Sequence, residues 1–131
     1  MAINPVVHFE LLAEDRKRMT TFYTTVFGWE ANQLGPEMGN YVVVMTAESD
    51  AKGPKRPGAI NGGLYQKTPE MGPQYPSVVI GVENLEASMK KVIATGGKIL
   101  DAPKDIPGVG KFVSFVDTEG NRLSILQPLQ M

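Results

Sequence analysis

Cysteine is absent from the 131-residue sequence. That excludes disulfides, thiolate zinc sites, iron–sulfur clusters and a cysteine nucleophile. Histidine occurs once, at His8, so any imidazole chemistry has a single address. No apolar run approaches the roughly 20 residues a membrane-spanning helix needs. The first ten residues, MAINPVVHFE, lack the basic and then hydrophobic pattern of a secretory signal. A cytoplasmic protein without a membrane partner is the expectation. Positive charge is scarce too. The net charge is −1, and the densest basic run is Arg16, Lys17 and Arg18 at the start of a predicted helix. With no basic patch interleaved with aromatics, a nucleic-acid partner is not expected. What is present suffices for a core: 42% of residues are hydrophobic and 21% charged, ordinary for a soluble chain. The length fits one compact domain, or two very small modules sharing a core.

The chain repeats itself. HFELLAEDRKRMTTFYTTVFG begins at His8, and SVVIGVENLEASMKKVIATGG begins at Ser77, 69 positions later. Each opens with a strand of about six residues, by alternation. Asp15 and Asn84 then supply short side-chain acceptors suited to cap a helix. Met19, Phe22, Tyr23 and Val26 form one helical stripe; Leu85, Met89, Val92 and Ile93 form the other. Gly28 and Gly97 are the expected helix stops. Further strands follow each helix: WEANQL, YVVVMTA and INGGLYQ, then KILDAP, KFVSFVD and RLSILQ, separated by Gly-, Pro- and Asn-bearing turns. Asn61-Gly62 is read as the start of a strand rather than a hairpin turn, and ESDAKGPKRPG as a mobile charged loop. The expected organisation is a single domain. Module 1 covers about 5–67, a linker about 68–75, and module 2 about 76–128.

Two tandem βαβββ units with paired helices resemble the vicinal oxygen chelate superfamily, the group of glyoxalase I, bleomycin-resistance proteins and extradiol dioxygenases. FYTTVFGWE, IPGVGKF and DTEGNRLSILQP carry the likeness most specifically. They look especially like small bacterial glyoxalase-like proteins. The resemblance covers essentially the whole chain. It implies an α+β fold in which the two modules form a curved mixed sheet around a cup-shaped cleft. It also implies a small organic ligand in that cup and a homodimer.

Strand alternation sorts the side chains onto two faces. Val7, Phe9 and Leu11, with Val78, Ile80 and Val82, Val113 and Phe115, and Leu123 and Ile125, have the composition of a helix-packed core. The opposite face is mixed. It carries His8, Glu10 and Leu12, Ser77, Val79 and Gly81, Phe112 and Ser114, and Arg122, Ser124 and Leu126. By resemblance this face lines the cup.

In metal-dependent members of the superfamily, His or Glu side chains on first and last strands hold a divalent ion. Matched by position, His8 falls at the first ligand site, Gly63 near the second, Ser77 at the third and Ser124 at the last. Glycine offers no donor, and a neutral hydroxyl is a poor one. Adding Glu10 would still leave a weak site, so no resident metal or other cofactor is expected; a divalent ion at His8 is the alternative. His8 is either a half-buried imidazole with a partner or an acid/base group. In the second case Glu10 beside it would raise its pKa and set its tautomer. Arg122 is an anion clamp or a residue of the rim. Ser77, Ser114 and Ser124 hydrogen-bond a polar ligand, or each other through water. Trp29 and Phe27 are expected to pack against the first helix. Met38, Tyr41 and Met45 are candidates for an apolar wall, and Tyr65 and Tyr75 for a subunit contact. Candidate catalytic residues are thus His8 and Glu10, and candidate ligand-binding residues Ser77, Phe112, Ser114, Arg122 and Ser124. Three functions remain open: a metal-free small-molecule-binding protein, a lyase or dioxygenase with atypical metal ligands, and an interaction module with a vestigial cup.

Overall fold

The computed structural model describes residues 3–69 and 75–129. Residues 70–74, most of the expected linker, lie outside the described residues. Contacts divide the chain into His8–Pro76 and a second unit of Ser77–Met131 with Met1–Val7.

In the first unit the order is β1 (Val6–Ala13), α1 (Arg16–Phe27), β2 (Glu30–Gln33), a 3-10 turn at Pro36–Met38, β3 (Val42–Met45), a two-residue-arm hairpin of β4 (Ser49–Asp50) and β5 (Gly53–Pro54), and β6 (Asn61–Gln66). The hairpin stands inside the segment expected to be a loop. Asn61 does start a strand, and it ties that strand to its neighbours. Its Oδ1 accepts from the Thr46 N–H at 2.9 Å, and its Nδ2 donates to Ser49 Oγ at 2.9 Å. The strands pair in the order β2-β3-β6-β1. β1 and β6 are parallel; the other pairs are antiparallel.

The second unit runs β7 (Ser77–Gly81), α2 (Leu85–Ala94), β8 (Lys98–Ile99), β9 (Lys104–Ile106), β10 (Gly110–Val116) and β11 (Arg122–Pro128). β7 and β11 are parallel, β11 and β10 antiparallel, β10 and β8 antiparallel. The topology repeats that of the first unit, with its opening strand parallel to its closing one. Strand β9, which pairs with β10, is the addition.

Both expected helix caps form. Asp15 accepts from the Arg18 N–H at 3.0 Å and Asn84 from the Ala87 N–H at 2.9 Å, each satisfying a first-turn donor. The stops differ between repeats. α1 ends at Gly28 with φ 71°, whereas α2 is capped by Thr95, and Gly96 rather than Gly97 takes the positive φ. Gly97 serves close approach instead: a Cβ there would lie 2.8 Å from the Val116 carbonyl.

Each unit has its own apolar cluster, drawn largely from the rows that alternation predicts; Val7, expected in the core beside Phe9 and Leu11, is instead 37% exposed. Val82, Leu85, Val113, Phe115 and Ile125 are buried together, with Ile80, Met89, Val92, Ile99 and Leu123 against them. Val42, Val44 and Leu64 are buried with Phe9, Leu11, Met19 and Trp29 around them. Trp29 packs as expected, stacked on Tyr23 of α1 at 4.7 Å between ring centroids. The helical stripes are narrower than the sequence suggests. Phe22, Val26 and Ile93 are more than half exposed.

Candidate functional site

Register places His8 opposite Asn61, Glu10 opposite Gly63 and Leu12 opposite Tyr65 across β1 and β6. Val43 of β3 lies opposite Gly63 on its other side. Gly62 and Gly63 point to opposite faces, and each leaves room for an aromatic ring. A Cβ at Gly62 would sit 2.5 Å from the Phe9 ring on the core side. One at Gly63 would sit 1.9 Å from both Cζ and the hydroxyl of Tyr41. Glycine within a strand marks such close approaches. The Tyr41 phenol therefore lies where a side chain at position 63 would have been.

Its hydroxyl joins the two expected catalytic residues. Tyr41 Oη is 2.8 Å from His8 Nε2 and donates to Glu10 Oε2 at 3.1 Å. The turn before Tyr41 is held from several directions. The Asn40 carbonyl accepts from an Arg16 guanidinium N–H and, at 2.6 Å, from Gln33 Nε2. The Leu34 N–H donates to the Tyr41 carbonyl at 2.8 Å. Asn40 itself adopts φ 55°, a conformation asparagine tolerates better than most residues. Sequence reasoning assigned Tyr41 to an apolar wall and missed this role. The available signal was the glycine pair facing a first strand that carries His and Glu.

Burial controls the electrostatics. It lowers the His8 pKa from 6.5 to about 4, because the charged imidazolium is the form that loses hydration. This is opposite to the upward shift attached to the acid/base alternative, and His8 is the half-buried imidazole with a partner of the other alternative. Glu10 reaches the imidazole through the Tyr41 hydroxyl rather than directly, so it does not offset the desolvation. Burial, followed by the charge and hydrogen bond of Glu10 and the nearby Tyr65, pushes the Tyr41 hydroxyl far upward. The phenol keeps its proton throughout the physiological range.

The remaining candidates lie in the second unit. Ser124 pairs across the sheet with Ser114 and with Val79. Both serines are buried, and their hydroxyls bond each other directly at 3.0 Å, with no water between. Val79, also on this face, is 1% exposed. Ser77 and Phe112 are half-buried and Arg122 is exposed at the start of β11. Because each hydroxyl of the serine pair satisfies the other, Ser124→Ala strands a buried Ser114 hydroxyl. It should cost about 1–2 kcal/mol. Ser114→Ala combined with Ser124→Ala should cost no more than the single change, as read by urea unfolding.

A divalent ion of the kind the resemblance implies does not fit these side chains. Among the described residues no three His, Cys, Asp or Glu side chains cluster to hold a metal. His8 Nε2 and a Glu10 oxygen are both engaged by Tyr41. Two surface concavities, of about 420 and 340 Å³, open beside the N-terminal half of α1. Leu12, Met19, Phe22 and Tyr23 line the first and Arg16, Gln33 and Gln66 the second; neither includes His8 or Glu10. No helix among the described residues is long and apolar enough to cross a membrane.

Residues 6–47 match the bleomycin resistance protein-like N-terminal family. A glyoxylase-like domain-containing protein of Didymella fabae is 31% identical over 117 residues, covering 88% of each chain. CFP32 of Mycobacterium bovis, whose name places it with the glyoxylases, is 28% identical over 91% of this chain. The chain spans only 42% of the length of that relative. Among solved structures, a methylmalonyl-CoA epimerase variant from Streptomyces coelicolor, in complex with 2-nitronate-propionyl-CoA, superposes with a TM-score of 0.72 at 15% identity. The match covers 98% of this chain and 99% of that one. At that identity the likeness shows the fold, an α+β arrangement of βαβββ modules with a curved mixed sheet. The sequence relationship goes further: the chain belongs to the glyoxalase-like family of the vicinal oxygen chelate superfamily.

Proposed function

We propose that the chain is a small-molecule-binding protein of the glyoxalase/bleomycin-resistance type, built around the hydrogen-bonded His8–Tyr41–Glu10 chain in place of a divalent metal. The observation that carries this reading is the Tyr41 hydroxyl seated over Gly63 and bonded to both His8 and Glu10. A metal bound by His8 Nε2 and Glu10 Oε2 would have to break both bonds and displace the phenol. The ligand class, a small organic molecule, is supported by the superfamily, one member of which was solved with a CoA thioester analogue. The setting attached to this reading is a homodimer, on family resemblance alone, in the cytoplasm, the location expected from the sequence.

Elemental analysis tests it. Untagged protein is incubated with Ni²⁺, Zn²⁺, Mn²⁺ and Fe²⁺, then desalted. The reading predicts no stoichiometric metal. One equivalent retained by the wild type and lost in His8→Ala would replace it with a metal-dependent lyase or dioxygenase.

A further inference from the structure

His8 is the sole imidazole in the chain, and only one of its two nitrogens is accounted for. Nε2 meets the Tyr41 hydroxyl. Nδ1 has no hydrogen-bond partner among the described residues, and no buried side-chain nitrogen or oxygen there lacks a partner. Nδ1 is therefore not sealed from solvent. The Tyr41 hydroxyl has one proton, and it is donated to Glu10. A carboxylate has none to return. The phenol oxygen must accept from His8, which fixes the proton on Nε2 and leaves the lone pair on Nδ1.

We infer that His8 Nδ1 is the recognition atom of the site, an acceptor that takes a neutral ligand through its O–H or N–H group, with Tyr41 and Glu10 as the positioning residues that hold its tautomer. The arrangement discriminates. The Tyr41 proton is committed to Glu10 and the Nε2 proton to Tyr41, so the chain of bonds has no donor left for a carboxylate or phosphate. An anion would also approach the Glu10 charge in a poorly hydrated place. Alcohols, phenols and amides suit it; anions and fully alkylated analogues do not. The inference deepens the reading above and rests on the metal-free centre.

Selective ¹⁵N-histidine labelling reports one imidazole, with no assignment needed. At neutral pH the wild type should show Nε2 protonated and Nδ1 bare. Phenol should shift the Nδ1 resonance, while anisole, which lacks the donor, and benzoate, which is an anion, should leave it unmoved. In Tyr41→Phe the two nitrogens should move toward an averaged tautomer. Should that variant fail to fold, the wild-type tautomer decides alone. Protonated Nδ1 with bare Nε2 in metal-free protein, or equal shifts with phenol and anisole, would overturn this inference and leave the metal-free reading standing. Metal bound at His8 would instead remove that reading first.

Discussion

Gly63→Ala should be among the most damaging single substitutions in the first unit. The new Cβ would lie 1.9 Å from the Tyr41 ring and hydroxyl, so the phenol must leave. Gly63 is buried within β6, so the strand has little room to give. Overpacking of this kind costs about 1–3 kcal/mol. Breaking the bonds to His8 and Glu10 adds about 1 kcal/mol or more, since both partners are half-buried. The expected total is about 3 kcal/mol, a fall in melting temperature of roughly 10 °C for a chain of this size. The mechanism makes a second, sharper claim. In a Tyr41→Ala background the ring is already gone, so Gly63→Ala should be much better tolerated. A coupling of about 1 kcal/mol or more in the double-mutant cycle is expected. Additive effects would mean that the ring and the glycine do not depend on each other.

Acid should destabilise the protein through His8. Its folded pKa, about 4, lies below the ordinary 6.5. Between those values the unfolded chain binds a proton that the folded chain does not, so stability rises with pH across the window and levels off above it. The full shift corresponds to about 3 kcal/mol, somewhat less after allowing for the residual exposure of the ring. The groups facing His8 do not change the sign. Tyr41 stays protonated, and Glu10 acts through it. Carboxylates titrate near the lower end of the same window, so the quantity to measure is a difference. Urea unfolding of wild type and His8→Gln from pH 4 to 7 should show the wild type losing the extra 2–3 kcal/mol or so on acidification. Parallel pH profiles would show that His8 is neither buried nor depressed.

Much of the fold was legible because it rests on local signals repeated at fixed spacing. Asp15 and Asn84 cap their helices as short acceptors do. The rows Val113 with Phe115 and Leu123 with Ile125 point to the core because strand alternation leaves them no other face. Features set by a few non-local contacts were not legible. Nothing local distinguishes Gly96 from Gly97 as the residue of positive φ; the close approach of Val116 and Val92 to Gly97 decides it. The hairpin of β4 and β5 sits in a stretch whose Lys, Pro and Gly content reads as loop.

The site divides in the same way. His8 and Glu10 could be placed on one face by counting. The mutual bond of Ser114 and Ser124 could not, since it depends on the register of β10 against β11. Tyr41 precedes its strand, and the turn that presents its ring to Gly63 is held at the Asn40 carbonyl by Gln33 and, from the far side of α1 in sequence, by Arg16. The direction of the His8 shift was left open between two readings for a related reason. Adjacency along β1 suggested direct contact with Glu10, but the tyrosine stands between them and burial prevails.

The most direct test of the central claim, that Tyr41 holds the place of a metal ligand, is diffraction from crystals grown with excess Zn²⁺ and measured at the zinc absorption edge. The account predicts no anomalous peak within about 2.1 Å of either His8 nitrogen, the length of a zinc–imidazole bond, and the Tyr41 hydroxyl still bonded to both His8 and Glu10. A zinc peak joining His8 to Glu10, with the Tyr41 ring swung away from Gly63, would contradict it.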